Sequence, residues 1–427
     1  MKAVLKNLLQ ERLTTLSEQT DMKKTVYVHG YDYNCVTDEV RLDFDTAVEK
    51  IDPSCFTVTE TKQVTDFSKA PEFPVVVMEE KRTVEDMYYV DGDGNRCEEK
   101  TSSIILKLNE DPEHGCPLLF DFHSFFNTWS QPYEMKIKYG DQTIICTMDD
   151  FVTQADDWSI DTFTASDGVT YRYAHFEPEG GSDRTVIWLH GIGEGGTELT
   201  DPRIAVLANK ADVLKREAFQ KAVGKANILV PQCPTYWMDR TGDCANRNMG
   251  QIVADGTSFY TESLVELICD YLARTETEKT VVAGCSNGGY MTMLLAMQYP
   301  KVFDGYVPVC EAVPDTCITD AQIDVLAKQK LYFVYSKDDP TVIPEKHEVP
   351  TLERLKKAGA ENIHVSVTDH VIDTSGSYFL DENGRATKQN TGIPYQYSGH
   401  WSWIYFFNNE CSADGLTAWD FISDCLK

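Results

Sequence analysis

Gly284-Cys285-Ser286-Asn287-Gly288 stands between an apolar run at 280–283 and a helical pattern at 290–298. That junction constrains the fold more than any other part of the sequence. A strand that ends in so short a turn and re-enters as a helix belongs to a layered α/β structure. The turn lifts the Ser286 hydroxyl clear of the backbone. Glycines two residues before and two after let neighbouring chains come close without a Cβ in the way. The Asn287 amide then points at any oxygen that gains charge as Ser286 attacks a carbonyl.

Strand-like and helix-like segments alternate on both sides of this junction. Strands are expected at 185–190, 226–230, 280–283, 302–309, 331–335 and 363–367, with helices at 259–273, 290–298 and 345–358. The near-continuous apolar runs VIWL and LYFVY suit a mostly parallel sheet covered by helices on both faces. Residues 24–150 read differently. Val40, Leu42 and Phe44 alternate with Arg41, Asp43 and Asp45, and Tyr133, Met135, Ile137 and Tyr139 alternate with Glu134, Lys136 and Lys138. Period two at this spacing predicts an all-β, immunoglobulin-like sandwich. The acidic stretch 148–157 marks the boundary, with the α/β domain over 158–427. Ahead of both, Val4, Leu5, Leu8, Leu9, Leu13 and Leu16 predict an amphipathic helix over 1–23.

The 427 residues include 39 basic and 68 acidic side chains, a net charge of −29. A field of that sign repels nucleic acid and anionic membranes, so neither is expected as a partner. No stretch nears the roughly 18 apolar residues that span a bilayer, and charges interrupt the N-terminal pattern before a signal-peptide core forms. Thirteen cysteines without a C-x-x-C pair read as free thiols in a reducing cytoplasm. Metal-ligand spacing is absent, and neither metal nor cofactor is expected. Self-association into a homo-oligomer stays open.

A serine nucleophile needs a base, and the base needs an orienting acid. The run LYFVY leads into Ser336-Lys337-Asp338-Asp339, an acid-bearing loop past a strand end, where Asp339 is preferred and Asp338 competes. Two histidines could serve as base: His370, soon after the run IHVSV, and His400, in Gly399-His400-Trp401-Ser402-Trp403. The residues alone barely separate them. Upstream, His190-Gly191-Ile192-Gly193-Glu194-Gly195-Gly196 follows VIWL, and the Ile192 N–H is the candidate second donor to the oxyanion. The same glycines spell G-x-G-x-x-G. A dinucleotide site would want a second strand ending in an acid about 20 residues on, whereas 204–223 patterns as a charged helix. Trp237, in the loop after the strand at 226–230, and Glu194 are candidates to line a substrate pocket. Asn209-Lys210-Ala211-Asp212 lacks a phosphate loop to accompany it, and Asp91-Gly92-Asp93-Gly94-Asn95 departs from an EF-hand loop, so both read as structural.

From about Val169 onward the chain resembles the α/β-hydrolase family, more narrowly the bacterial esterases and peptidases allied to prolyl oligopeptidase. The matching elements are H-G-x-G-E-x-G-T at 190–197, V-P-Q-C-P at 230–234, G-x-S-N-G-G-Y at 284–290 and Y-P-x-x-F-D-G at 299–305. That group ends in G-H-x-S-W with a catalytic histidine, which implies His400 as the base. Some members carry an N-terminal immunoglobulin-like domain. This sequence departs by inserting 368–398 before the histidine, with a hairpin turn at Asp381-Glu382-Asn383-Gly384 and the character of a candidate lid. The resemblance implies a serine hydrolase cleaving a small-molecule carboxylic ester through Ser286, His400 and Asp339. Alternatives are a peptidase on the same machinery, or a hydrolase-like binding protein with an inert serine.

Overall fold

Alternating inward apolar residues build the first half of the molecule, and runs buried on both faces build the second. The computed structural model describes residues 22–196 and 200–427, so all but the last two residues of the helix expected over 1–23 lie outside the description. The chain divides into two compact units. The first holds the residues up to His29, Cys35–Leu119 and Ser130–Gln154; the second holds Gly30–Asn34, Phe120–Trp129 and Ala155–Lys427.

The early strands are β1 (Lys23–Tyr31), β2 (Asn34–Asp43), β3 (Phe56–Thr65), β4 (Val75–Arg82), β5 (Val84–Val90) and β6 (Arg96–Cys97). They continue with β7 (Ser103–Leu108), β8 (Leu118–Asp121), β9 (Phe126–Trp129), β10 (Tyr133–Tyr139), β11 (Gln142–Cys146) and β12 (Phe151–Thr153). In the first unit, among the described residues, they form a six-stranded sheet, β12-β1-β2-β7-β5-β6, and a four-stranded sheet, β11-β10-β3-β4. Val26, Val40, Leu42, Ile104 and Leu106 of one sheet share a core with Val58, Met135, Ile137 and Ile144 of the other. The first unit runs past the expected boundary because β12 adds in parallel to β1, with Phe151 opposite Val26. Among the described residues β8 and β9 form a two-stranded sheet of their own.

The second unit is mixed α/β. Its large sheet takes β13 (Ser159–Thr164), β14 (Thr170–Phe176), β15 (Arg184–Leu189), β16 (Asn227–Gln232), β17 (Lys279–Cys285), β18 (Gly305–Val309), β19 (Leu331–Ser336) and β20 (Ile363–Thr368) in the order β13-β14-β16-β15-β17-β18-β19-β20. β16, β15 and β17 to β20 run parallel, while β13 and β14 are antiparallel additions at one edge. The sequence reading missed those two. β13 is an edge strand whose residues face mostly solvent, so it lacks an apolar period.

Helix Thr261–Arg274 buries Leu264, Leu267, Ile268 and Tyr271, the i, i+3, i+4, i+7 stripe of an amphipathic helix. Helix Asn287–Gln298 is buried on all sides but for its last residue, as its apolar composition requires. The single charged helix expected over 204–223 is instead three pieces. Helices Ile204–Leu207 and Glu217–Val223 flank a 3-10 turn, Ala211–Lys215, and Lys210 at φ 62° breaks the run. Among the described residues no helix is long and apolar enough to cross a membrane.

Candidate active site

β17 delivers Ser286 to the carboxyl edge of the parallel strands, and the chain turns there within one residue. Ser286 sits at φ 54°, ψ −115°, outside the region an L-residue adopts freely. The strain is local to the reactive side chain, as at other nucleophile turns. Close packing enforces it. A Cβ on Gly284 would lie 2.7 Å from the Gly288 carbonyl oxygen, and one on Gly288 would run into the Leu189 carbonyl oxygen.

Two more carboxyl-edge loops converge on this serine. The His400 Nδ1–H donates to Asp339 Oδ2 at 2.8 Å, which leaves Nε2 to accept the Ser286 hydroxyl at 2.9 Å. The His400 ring stands edge-on to Trp403, centroids 5.5 Å apart. Asp339 follows β19 and is 4% exposed. Its other oxygen, Oδ1, accepts the N–H groups of Thr341 (2.8 Å) and Val342 (2.9 Å). A carboxylate held by three donors has one orientation left, and it aims at the histidine. The competitors pair elsewhere: the His370 Nδ1–H donates to Asp338 Oδ2 at 2.7 Å, and Asp338 Oδ1 accepts the Ser336 hydroxyl at 2.6 Å.

Asn287 opens helix Asn287–Gln298, so its N–H is one of the unpaired amides at a positive helix end. Its side-chain Oδ1 accepts the Trp237 N–H at 2.6 Å, tying the elbow to the loop after β16. The Trp237 indole is not a pocket wall. It is fully buried in the core, against Tyr171 (centroids 6.5 Å) and His190 (5.3 Å), and what reaches the site is its backbone. Ile192 begins a 3-10 turn, Ile192–Glu194, past β15. Glu194 is 3% exposed, and its Oε1 accepts Asn127 Nδ2–H at 3.2 Å. Burial pushes its carboxyl up to about 7.

Sequence reasoning gave no role to three further groups here. His190 is buried, and its ring links two loops: Nδ1–H donates to the Gly191 carbonyl at 2.5 Å and Nε2 accepts the Cys233 N–H at 3.0 Å. Burial lowers its pKa to about 4, so the ring is neutral and its tautomer fixed. Glu311, two residues past β18, is fully buried; its Oε2 accepts the Val313 N–H at 2.7 Å, and burial pushes it up to about 8. Glu348, at the start of helix Glu348–Lys357, is buried and shifted the same way by desolvation and then by Glu311. An acid just past a parallel strand was the available signal for Glu311. The H-G-x-G element drew attention to His190 without giving its ring a role, and nothing local marks Glu348.

Cys310 Sγ, an Asp339 oxygen and a His400 nitrogen lie within 4.8 Å of one another, a set a soft divalent cation could use. His400 and Asp339 are bonded to each other, and burial raises the Cys310 thiol pKa well above its ordinary value.

The second unit's loops therefore hold a serine, an imidazole and a carboxylate in one hydrogen-bonded line beside a helix N-terminus. That arrangement can generate a nucleophilic alkoxide equivalent and stabilise an oxyanion. No protein-family description matches the sequence, and no curated protein matches it. Solved structures do match. A thermostable esterase aligns over 91% of this chain and 96% of its own, with a TM-score of 0.65 at 19% identity, a likeness of fold. An acylaminoacyl peptidase in complex with a chloromethyl ketone aligns over 62% of this chain and 46% of its own, TM-score 0.35, 13% identity. An esterase from Pyrococcus furiosus aligns over 50% and 81%, TM-score 0.35, 17% identity.

Proposed function

We propose that the protein is a serine hydrolase that cleaves carboxylic esters through an acyl-enzyme. One observation carries the reading: the unbroken line from Ser286 Oγ through His400 to Asp339, at 2.9 and 2.8 Å. Ser286 attacks the ester carbonyl as its proton passes to His400 Nε2, and the C–O bond to the alcohol then breaks. His400 returns the proton to the departing oxygen. Water repeats the sequence on the acyl-enzyme and releases the acid. Asp339 holds the tautomer and balances the imidazolium. The N–H groups of Asn287 and Ile192 receive the tetrahedral oxyanion, where losing one donor typically costs on the order of 10²–10³ in turnover.

An ester is the favoured substrate because its leaving group departs more readily than an amine. The two-sheet unit is read as an immunoglobulin-type sandwich, and the free thiols suit a reducing cytoplasm. The test is covalent labelling with a fluorophosphonate, followed by peptide mapping and a panel of ester and amide substrates. Modification at Ser286 with ester turnover is the expected result. An unlabelled protein would mark an inert pocket, and amide turnover above ester turnover would make it a peptidase.

A further inference from the structure

Cys35 and Cys116 are remote in the chain and meet within the first unit. Cys35 is the second residue of β2 and is fully buried. Cys116 stands two residues before β8 and keeps part of its surface open. A side-chain hydrogen bond joins the two thiols, and no disulfide does.

Backbone contacts hold this meeting in place. The Thr37 N–H donates to the Gly115 carbonyl at 3.0 Å. Gly115 sits at φ 84°, and a Cβ there would lie 2.5 Å from Val36 Cγ1 and 2.7 Å from Arg82 Nη2. Only glycine lets the segment at 115–116 press so close to the one at 35–37. The Arg82 guanidinium, itself buried, donates to the Thr37 carbonyl at 3.0 Å and to Glu60 at 2.9 Å. The chain beside Cys35 is therefore fixed from two directions, and Cys116 is delivered against it.

The surroundings make the two sulfurs unequal. Cys35 donates to Cys116, and that bond, against burial and with help from the Lys62 ammonium, lowers the Cys116 thiol pKa. Lys62 is buried and paired with Glu60 at 3.2 Å and Glu80 at 3.7 Å, and Glu60 acts on Cys116 in the opposite sense. The same hydrogen bond, and then burial, push the Cys35 thiol well above its ordinary range. One sulfur is thus a reachable nucleophile, and the other waits behind it as a resolving thiol.

We infer that Cys35 and Cys116 form a reversible disulfide site, oxidised by a low-molecular-weight disulfide such as oxidised glutathione. This goes beyond the hydrolase reading and does not depend on it. The Cys116 thiolate attacks one sulfur of glutathione disulfide, whose S–S bond breaks and releases the first glutathione. Cys35 then attacks Cys116 Sγ in the mixed disulfide, and the second glutathione leaves. Each protein thiol's proton ends on a departing glutathione, so two thiols are oxidised and one disulfide is reduced. Only Cys116 has to meet the oxidant. A transient bond of this kind is compatible with a reducing compartment. Once formed, it closes the long loop from 35 to 116 and resists unfolding of the first unit.

The experiment exposes the native full-length protein to glutathione buffers of rising oxidised fraction, blocks remaining thiols with N-ethylmaleimide and maps the peptides by mass. The expected product is a cross-linked 35–116 peptide, two hydrogens lighter than its parts and released by dithiothreitol. Its appearance should raise Tm by about 5 °C. Exposed Cys55 and Cys269 take up glutathione singly and control for the reagent. Cys35→Ala is expected to stall with one glutathione on Cys116, whereas Cys116→Ala leaves Cys35 unmodified. Absence of the 35–116 peptide at every ratio, or its formation only in urea, would overturn the inference. So would a Cys35 that is modified as readily in Cys116→Ala as in wild type. None of these readouts uses ester turnover, so the disulfide site and the hydrolase reading stand or fall separately.

Discussion

Asp338 and Asp339 are consecutive in the chain yet hold different histidines: Asp339 takes His400 at 2.8 Å and Asp338 takes His370 at 2.7 Å. Only the first pair reaches Ser286. Asp338 also packs against the first pair's neighbour: the Gly399 backbone, next to His400, lies so close that a Cβ there would collide with Asp338.

The two pairs therefore separate under substitution. His400→Ala is expected to cut kcat by at least on the order of 10⁴. Asp339→Asn, which favours the wrong imidazole tautomer, is expected to cost on the order of 10⁴. His370→Ala and Asp338→Asn leave kcat close to wild type. Steady-state kinetics on one small ester, with thermal melts to confirm folding, decide it. A larger loss from His370→Ala than from His400→Ala would sink the assignment.

Gly288→Ala tests the elbow's packing. The new Cβ has nowhere to go but into the Leu189 carbonyl oxygen, which is backbone and cannot swing aside. The variant is expected to lose fluorophosphonate labelling and to melt well below wild type. Gly359→Ala is the control for a generic glycine effect. Gly359 has a positive φ, at 78°, which Gly288 does not, so its alanine carries backbone strain; but nothing lies within 4 Å of its would-be Cβ, so labelling stays intact.

Stability should fall as pH rises through neutrality. Glu194 and Glu311 have an ordinary pKa of 4.5, and burial lifts them to about 7 and about 8 in the folded protein. Between those limits the native state holds protons that the unfolded chain has released. Their contribution is complete below about pH 4.5 and disappears as pH climbs through about 7 and then about 8. Calorimetric Tm is expected to decline by a few degrees over that window, and Glu311→Gln to flatten the decline. A wild-type Tm that climbs from pH 5 to 8, or a Gln variant with the same slope, counts against it.

His190→Ala removes the ring that joins Gly191 to Cys233 and leaves a buried carbonyl and a buried N–H without partners. The expected destabilisation is about 1–3 kcal/mol, accompanied by slower fluorophosphonate labelling as the oxyanion loop loosens. Because the ring stays neutral down to about pH 4, no acid limb of the pH–rate profile near pH 6 should change in shape. Urea melts and labelling rates measure both halves of this prediction.

Much of the second unit could be read in advance because parallel strands covered on both faces must be apolar along their length, as VIWL and LYFVY are. The elbow was legible for the same reason: its glycines mark where backbones touch. Spacing left His370 and His400 level, since nothing along the chain says which imidazole a loop returns to the serine. The match of Gly399–Trp403 to a known ending tipped the reading to His400. Trp237 misled because an aromatic residue in a carboxyl-edge loop can point either way, and here the ring turns into the core while the N–H does the tethering. The aromatic hairpin at 120–129 escaped notice as part of this unit. Its strand pattern is ordinary, and its partners Glu194 and Tyr236 lie 67 and more residues away.

The allegiance of 30–34 and 120–129 to the second unit bears on how the gene can be dissected. Severing the polypeptide near residue 155 would look like a clean excision of one domain, yet it would strip the serine-bearing half of the buttress beneath its oxyanion loop. A C-terminal fragment beginning there should be expressed with that loop unsupported. Only a permuted or co-expressed design that returns the hairpin would restore it.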